Sequence, residues 1–390
     1  MQQPLGLAAM SAGKPRLVWF DANRVFAAVG VVLIHSTTDF GGKPFADAEP
    51  AERLIPVFLR SLGEFSGSEM FFFFSLFLMA MRVDKKMPSY GSAIGTQAKR
   101  LLIPFAFWVV FYAFFRLFKA EAFNYTDYIW TQVTQVQSWF GYFILGKVQY
   151  HMHFLPTLFA LFLFYPLMRG ATRYPILGLT LFLTLGIMNN TQGWVWGLGL
   201  EAEIRDYIIR ALKIFGYVGY GLAAFAIYGL WKDGIPRGES RLLRRGGFYF
   251  AALAYVATLP FFATAYETGN WGLRSGWDFY GHFLMPICIF LIFLGGQYLD
   301  WGPRWSKLAK YTFGVYLVHP AVIDLYDIAL FSSGLYEGMS PTLIVLLRYC
   351  VALPGSFLVA LGLSKVGVLA WTVGLGPTPW EARKKKAAGA

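Results

Sequence analysis

The first apolar stretch opens Phe20-Asp21-Ala22-Asn23-Arg24 and reaches His35 after ten intervening residues. On a helix, eleven steps of about 100° return to nearly the same face, about 16 Å further along the axis. A neutral imidazole at that place can take a proton from an arriving hydroxyl, the central act of general-base catalysis. Asp21 lies on the same face three residues before Arg24, a spacing that suits a local ion pair.

Other chemistry-bearing groups accompany His35. The fourth and eighth apolar stretches bring His151, His153 and His282 to their outer ends, and the second places Glu69 in its outer half. Four of the five histidines are therefore expected to approach one membrane face. The His-Met-His of residues 151–153 invites a zinc reading, but residues i and i+2 of a helix point apart. No HExxH or cysteine ligand accompanies them, so no metal is expected.

The ninth stretch carries Tyr316-Leu317-Val318-His319-Pro320 and then Asp324 and Asp327. Pro320 cannot donate to the Tyr316 carbonyl, which predicts a polar, bent segment beside His319. Ionisable groups within a span cost roughly 2.5–3.5 kcal/mol at its centre and usually face protein or water. On the opposite side, Lys99-Arg100 precedes Pro104, while Arg82, Lys85 and Lys86 close the second stretch. These cations suit the phosphates of a nucleotide-like donor, and they equally suit the enforcement of membrane orientation.

The elements that must position these groups are helices in lipid. Of 390 residues, 56% are hydrophobic and 14% charged, against about 25% charged in soluble domains. Apolar runs of about 18–20 residues, enough to cross about 30 Å of hydrocarbon, recur along the chain. An all-α polytopic membrane protein is expected, with ten spans near 17–38, 62–81, 101–118, 151–169, 175–190, 208–231, 248–265, 280–299, 311–331 and 342–363. Residues 119–150, aromatic and polar together, predict an interfacial or re-entrant segment. One membrane domain covers 1–390, with a short basic tail over 377–390.

The net charge of +12 does not point to nucleic acid, because the basic residues gather in short segments between spans. With both termini in the cytoplasm, those segments hold Lys14, Arg16, the residues just named, Arg241, Arg244, Arg245 and the Arg383–Lys386 run. Most acids fall on the other side, as the positive-inside rule requires. No cleavable leader is expected at the start, so the first span reads as an uncleaved anchor. Cys288 and Cys350 sit in apolar runs without CxxC spacing and read as free, buried thiols. Pro104, Pro156, Pro260, Pro286, Pro320 and Pro354 recur in or beside spans, where each can bend its helix.

At these residues the chain resembles acyltransferase family 3, the integral-membrane acyltransferases of bacterial surface and secreted carbohydrates. Its Arg, ten residues, His pattern matches Arg24 and His35 within Phe-Asp-Ala-Asn-Arg-Val-Phe-Ala-Ala. The Phe71–Phe74 run with Ser75, the basic pair before Pro104, and Tyr316-Leu317-Val318-His319-Pro320 follow in order. Two departures are Ser75-Leu76, where the family usually has Ser-Gly, and Gln97, where it often has a second Arg.

The resemblance implies an acyl group, acetyl or succinyl, passed from cytoplasmic acyl-CoA to a hydroxyl of a polysaccharide or lipid-linked oligosaccharide beyond the inner membrane. Acyl-CoA would be a co-substrate, with no permanently bound cofactor. His35 would serve as base or transient acyl carrier, and Arg24, Lys99 and Arg100 would hold the donor. Asp21, Glu69, His151, His153, His282, Tyr316, His319 and Asp324 would support His35 or bind the acceptor. A transporter or exporter of a sugar-like or anionic solute fits the intramembrane charges as well, although no internal repeat is seen. A glycan-assembly scaffold without chemistry is the third reading.

Overall fold

The all-α expectation holds. The structure, a computed structural model, describes residues 16–382, with the backbone alone at 188–190. Lys14 and the Arg383–Lys386 run lie outside the described residues. In chain order the helices are α1 (Val18–Ser36), α2 (Pro50–Gly63), α3 (Ser68–Lys86), α4 (Tyr90–Ala122), α5 (Thr126–Thr134), α6 (Val136–Phe140), α7 (Phe154–Leu163), α8 (Tyr165–Arg173), α9 (Pro175–Asn190), α10 (Gln192–Gly197), α11 (Ala202–Trp231), α12 (Arg237–Thr268), α13 (Gly276–Gly295), α14 (Arg304–Ala309), α15 (Thr312–Ser332) and α16 (Pro341–Lys365). No strand occurs among the described residues.

Eight of these helical stretches are long and apolar enough to cross a membrane, and a ninth is the bent pair α7 and α8. The expected fifth span is α9, whose 16 residues are apolar but short of 18. The break between α7 and α8, 64°, falls at Phe164. Pro166 sits in the first turn of α8, where its missing N–H cannot donate to the Phe162 carbonyl and carry α7 onward. Helix continues through the other prolines: α4 runs through Pro104, α13 through Pro286 and α15 through Pro320.

The chain forms two compact units, one of residues 16–93 and 160–309 and the other of 94–159 and 310–382. The core of the first unit is aromatic. Phe290 of α13, fully buried, meets Phe73 and Phe77 of α3 at 4.6 and 5.0 Å and Trp19 of α1 at 5.7 Å. Edge-on and tilted ring pairs of this kind add to the burial of large apolar area. The Phe71–Phe74 run is thus mainly a packing element, with Phe72 against Tyr217 at 5.0 Å. Leu76 is fully buried at its α3 position, so the leucine found in place of a family glycine is accommodated there.

Two glycines set close approaches in this unit. A Cβ at Gly30 would overlap the Ser66 hydroxyl, so only glycine lets α1 seat against the turn of residues 64–66. A Cβ at Gly281 would lie 2.5 Å from the Ala254 carbonyl, which keeps α12 and α13 in close contact as small residues do in membrane bundles.

A capping box between Glu49 and Glu52, with Pro50 in the first turn, starts α2. Arg53, one turn into α2, ties this region together. Its guanidinium donates to the carbonyls of Phe45 (3.0 Å), Ala46 (3.2 Å), Ala48, Tyr266 (2.9 Å) and Glu267 (3.1 Å). These carbonyls end α12 and shape the loop before α2, and Arg53 joins the two segments by donating to both. Arg53→Ala is expected to destabilise the protein by about 2–3 kcal/mol, because partly buried acceptors lose their partners. Thermal unfolding in micelles checks this, and an unchanged midpoint would contradict it.

In the second unit, Tyr112 and Trp108 of α4 donate to the carbonyls of Leu317 (2.6 Å) and Thr372 (2.9 Å). The 119–150 stretch is built of several short pieces. It comprises the end of α4, the short α5 and α6, and a π-helical turn over Gly141–Leu145. Tyr128, Trp130, Val136 and Phe140 are exposed along it.

Candidate active site

The stripe expected on α1 is present within the first unit. Asp21 is buried, and its nearest partners are not Arg24. Arg16 Nε lies 2.6 Å away and the Ser306 hydroxyl of α14 donates at 2.7 Å, whereas Arg24 Nη1 stands at 3.6 Å. The expected Asp21–Arg24 pair is therefore real but secondary. Between them Asn23 is fully buried, and neither of its amide atoms has a hydrogen-bond partner among the described residues. Such an orphaned amide costs about 1–3 kcal/mol, an outlay that a purely structural helix turn has no reason to carry.

At the far end of α1, His35 is half-buried. The carbonyl of the preceding Ile34 accepts from Arg60 Nη1 at 2.8 Å, which begins a chain of charges. Arg60 Nε lies 3.3 Å from Glu64 in the turn after α2. Glu64 also meets Arg274 at 3.5 Å and His282 Nδ1 at 2.9 Å. Across the ring, His282 Nε2 is 3.8 Å from Glu69, which accepts from Tyr217 at 2.9 Å and from Ser68 at 3.2 Å. Glu69 stands in the first turn of α3, where the helix dipole favours a carboxylate. Arg274, held over the Phe261 ring at 3.8 Å, completes the cluster by donating to Asp278 at 2.7 Å.

Beside this cluster lies a cavity of about 400 Å³. Glu69, Lys213, Tyr217, Arg274 and His282 supply its polar wall, and Tyr220, Phe279 and Phe283 its aromatic wall. Its size falls within the roughly 300–1,000 Å³ of small-molecule sites. His35 is not among the lining residues and connects to them through Ile34, Arg60 and Glu64.

Glu64 is the hub, because three cationic or ionisable partners converge on one mostly buried carboxylate. Glu64→Gln keeps the shape and an acceptor oxygen but removes the charge. It is expected to destabilise the protein by about 2 kcal/mol, since desolvated cations lose their counter-ion. The check is thermal unfolding of wild type and variant, and an equal or higher midpoint for Glu64→Gln would contradict it.

The remaining expected residues gather in the second unit. His151 stacks edge-on with His319 and Tyr316, both ring centroids at 5.2 Å, and the Tyr316 hydroxyl donates to the His151 carbonyl. His319 Nδ1 lies 2.8 Å from the Tyr316 carbonyl and 3.2 Å from that of Val315. A carbonyl only accepts, so Nδ1 carries the proton. The acceptor that Pro320 leaves without its usual donor is thus served by the side chain one residue earlier, which explains why α15 continues unbroken. Asp324 pairs with Lys119 at 2.7 Å and accepts from Gln149 at 2.9 Å, and Asp327 pairs with Arg348 at 2.7 Å.

His151 and His153 lie in turns before α7, not on a helix as expected. The expected quartet of histidines divides between the units, with His35 and His282 in the first and His151 and His153 in the second. Lys99 and Arg100 are exposed on α4 in the second unit.

Sequence reasoning missed Arg60, Glu64, Lys213, Tyr217 and Arg274. Spacing held a signal: Arg60 and Glu64, Lys213 and Tyr217, and Arg274, Asp278 and His282 each stand four residues apart. Compared with known families, residues 17–364 match a family model described as an acyltransferase domain. No curated protein and no solved structure matches the chain.

Proposed function

The chain belongs to this acyltransferase family, and from that premise we propose that it moves a short acyl group, acetyl or succinyl, from cytoplasmic acyl-CoA to a hydroxyl of a surface or exported glycan. The protein is a membrane acyltransferase. The donor, the acceptor, the bacterial inner membrane and cytoplasmic termini are our reading.

The observation that carries it is one helix with an arginine and a histidine about 16 Å apart on one face, whose histidine end is tied to a polar and aromatic cavity. Carbohydrate ligands suit such a cavity, because ring hydroxyls need donors and acceptors while the apolar ring face packs on aromatics. In the proposed step His35 accepts the acceptor's hydroxyl proton as the oxygen attacks the thioester carbonyl. A C–O bond forms, the C–S bond breaks, and the departing thiolate takes up a proton. Arg24, at the other end of α1, holds the donor's negative charge.

The test is incubation of the purified protein in nanodiscs with labelled acetyl-CoA or succinyl-CoA and a bacterial glycan extract. The expected result is label on glycan in a linkage that hydroxylamine releases, as an ester must. Absence of such label with both donors, in protein shown to be folded, overturns the reading.

A further inference from the structure

Lys213 is the odd charge in the cavity wall. It lies well inside α11, a helix long and apolar enough to span the bilayer, and lines the cavity with Tyr217 and Tyr220 of the same face. Intramembrane cations ordinarily pair with a carboxylate or meet water. No carboxylate lies within ion-pair distance of Lys213 among the described residues.

The carboxylates around it are already served. Glu64 has Arg60, Arg274 and His282. Glu69 has His282, Tyr217 and Ser68. Asp278 has Arg274 and the Ser275 amide. Arg210, one turn earlier on α11, adds positive charge to this side of the helix and no compensation. Lys213 is half-buried and faces the cavity, where a ligand's carboxylate has room to meet it.

The geometry points to an acidic sugar as the cavity's occupant: we propose that the acceptor glycan presents a uronate, its carboxylate on Lys213 and its ring against Phe279, Phe283 and Tyr220. This deepens the glycan-acceptor reading above and rests on it. A singly charged carboxylate fits better than a phosphate. Phosphates are favoured by arginine forks, and the one arginine lining the cavity, Arg274, is occupied by two carboxylates and a ring.

The test measures binding of methyl β-glucuronide, methyl β-glucoside and free succinate to the full-length protein in nanodiscs, by calorimetry, for wild type, Lys213→Gln and Lys213→Arg. Wild type is expected to bind the glucuronide about tenfold more tightly than the glucoside, the worth of one charge-assisted contact. Lys213→Gln should collapse that ratio towards one, and Lys213→Arg should keep most of it. Equal binding of the two sugars by wild type overturns the proposal, as does a preference that survives Lys213→Gln. So does succinate binding as tightly as the glucuronide, which would assign the cation to a dicarboxylic acyl group. Acyl transfer to both sugars is followed in parallel. Transfer without preference sinks the uronate inference alone, and a Lys213-dependent preference without transfer to any acceptor sinks the enzymatic reading alone.

Discussion

His35→Ala is expected to lower kcat/KM for acyl transfer by about 10²–10⁴-fold, the usual contribution of a positioned general base. The melting temperature should stay close to that of wild type. His35 is half-buried near the end of α1, and the grip of Arg60 on the neighbouring Ile34 carbonyl remains when the His35 side chain is shortened. Gln at the same place retains polarity and cannot take a proton, so His35→Gln should be as inactive as His35→Ala. Rates measured on folded protein decide the matter, and wild-type rates in either variant would remove His35 from the chemistry.

The second large effect concerns stability. Arg348 of α16 and Asp327 of α15 face each other at 2.7 Å with side chains only 1% and 3% exposed. Removing the cation alone strands a carboxylate in the interior, and Arg348→Met should cost about 3–5 kcal/mol. The double variant Arg348→Met with Asp327→Leu removes both charges. It should recover most of that loss, because a buried pair contributes little over apolar packing of similar volume. Unfolding midpoints of the two proteins in micelles test this: a double variant no more stable than the single one would mean that other groups carry the energy.

The parts of this molecule that sequence alone conveyed are those set by local periodicity. The long apolar runs declared α1, α3, α11 and the other spans, and Arg24 and His35 fall on one stripe because eleven residues make just over three turns of helix. Helix α2 was passed over, since its apolar residues alternate with charge along an amphipathic face and its start is marked only by Glu49 and Glu52. The kink at Phe164 arises at Pro166, one proline among 19. Which proline breaks a helix depends on whether some neighbour serves the carbonyl left without its donor, as His319 does for Pro320.

The candidate site was only half legible for a related reason. Pairs four residues apart, such as Arg60 with Glu64 and Arg274 with Asp278, are local and readable. Their convergence on His282 and Glu69 is tertiary: it requires the turn of residues 64–66, seated on α1 through Gly30 and Ser66, also to reach α13. His151 and His153 follow an apolar-run pattern that suggests helix, whereas a tight turn brings Gly146 against His153 before α7 begins. The imidazole of His151 consequently packs on His319 and Tyr316.

Acyl transfer across a membrane has a sidedness that a sealed vesicle makes measurable. Protein reconstituted in sealed vesicles receives labelled acetyl-CoA or succinyl-CoA on its cytoplasmic face and glycan on the other, neither of which crosses protein-free bilayers. The expected result is ester-linked label on the glycan, dependent on His35, with free coenzyme A released on the donor side. Glycan left without label, while a labelled solute crosses the membrane chemically unchanged, would contradict it and make the protein a transporter.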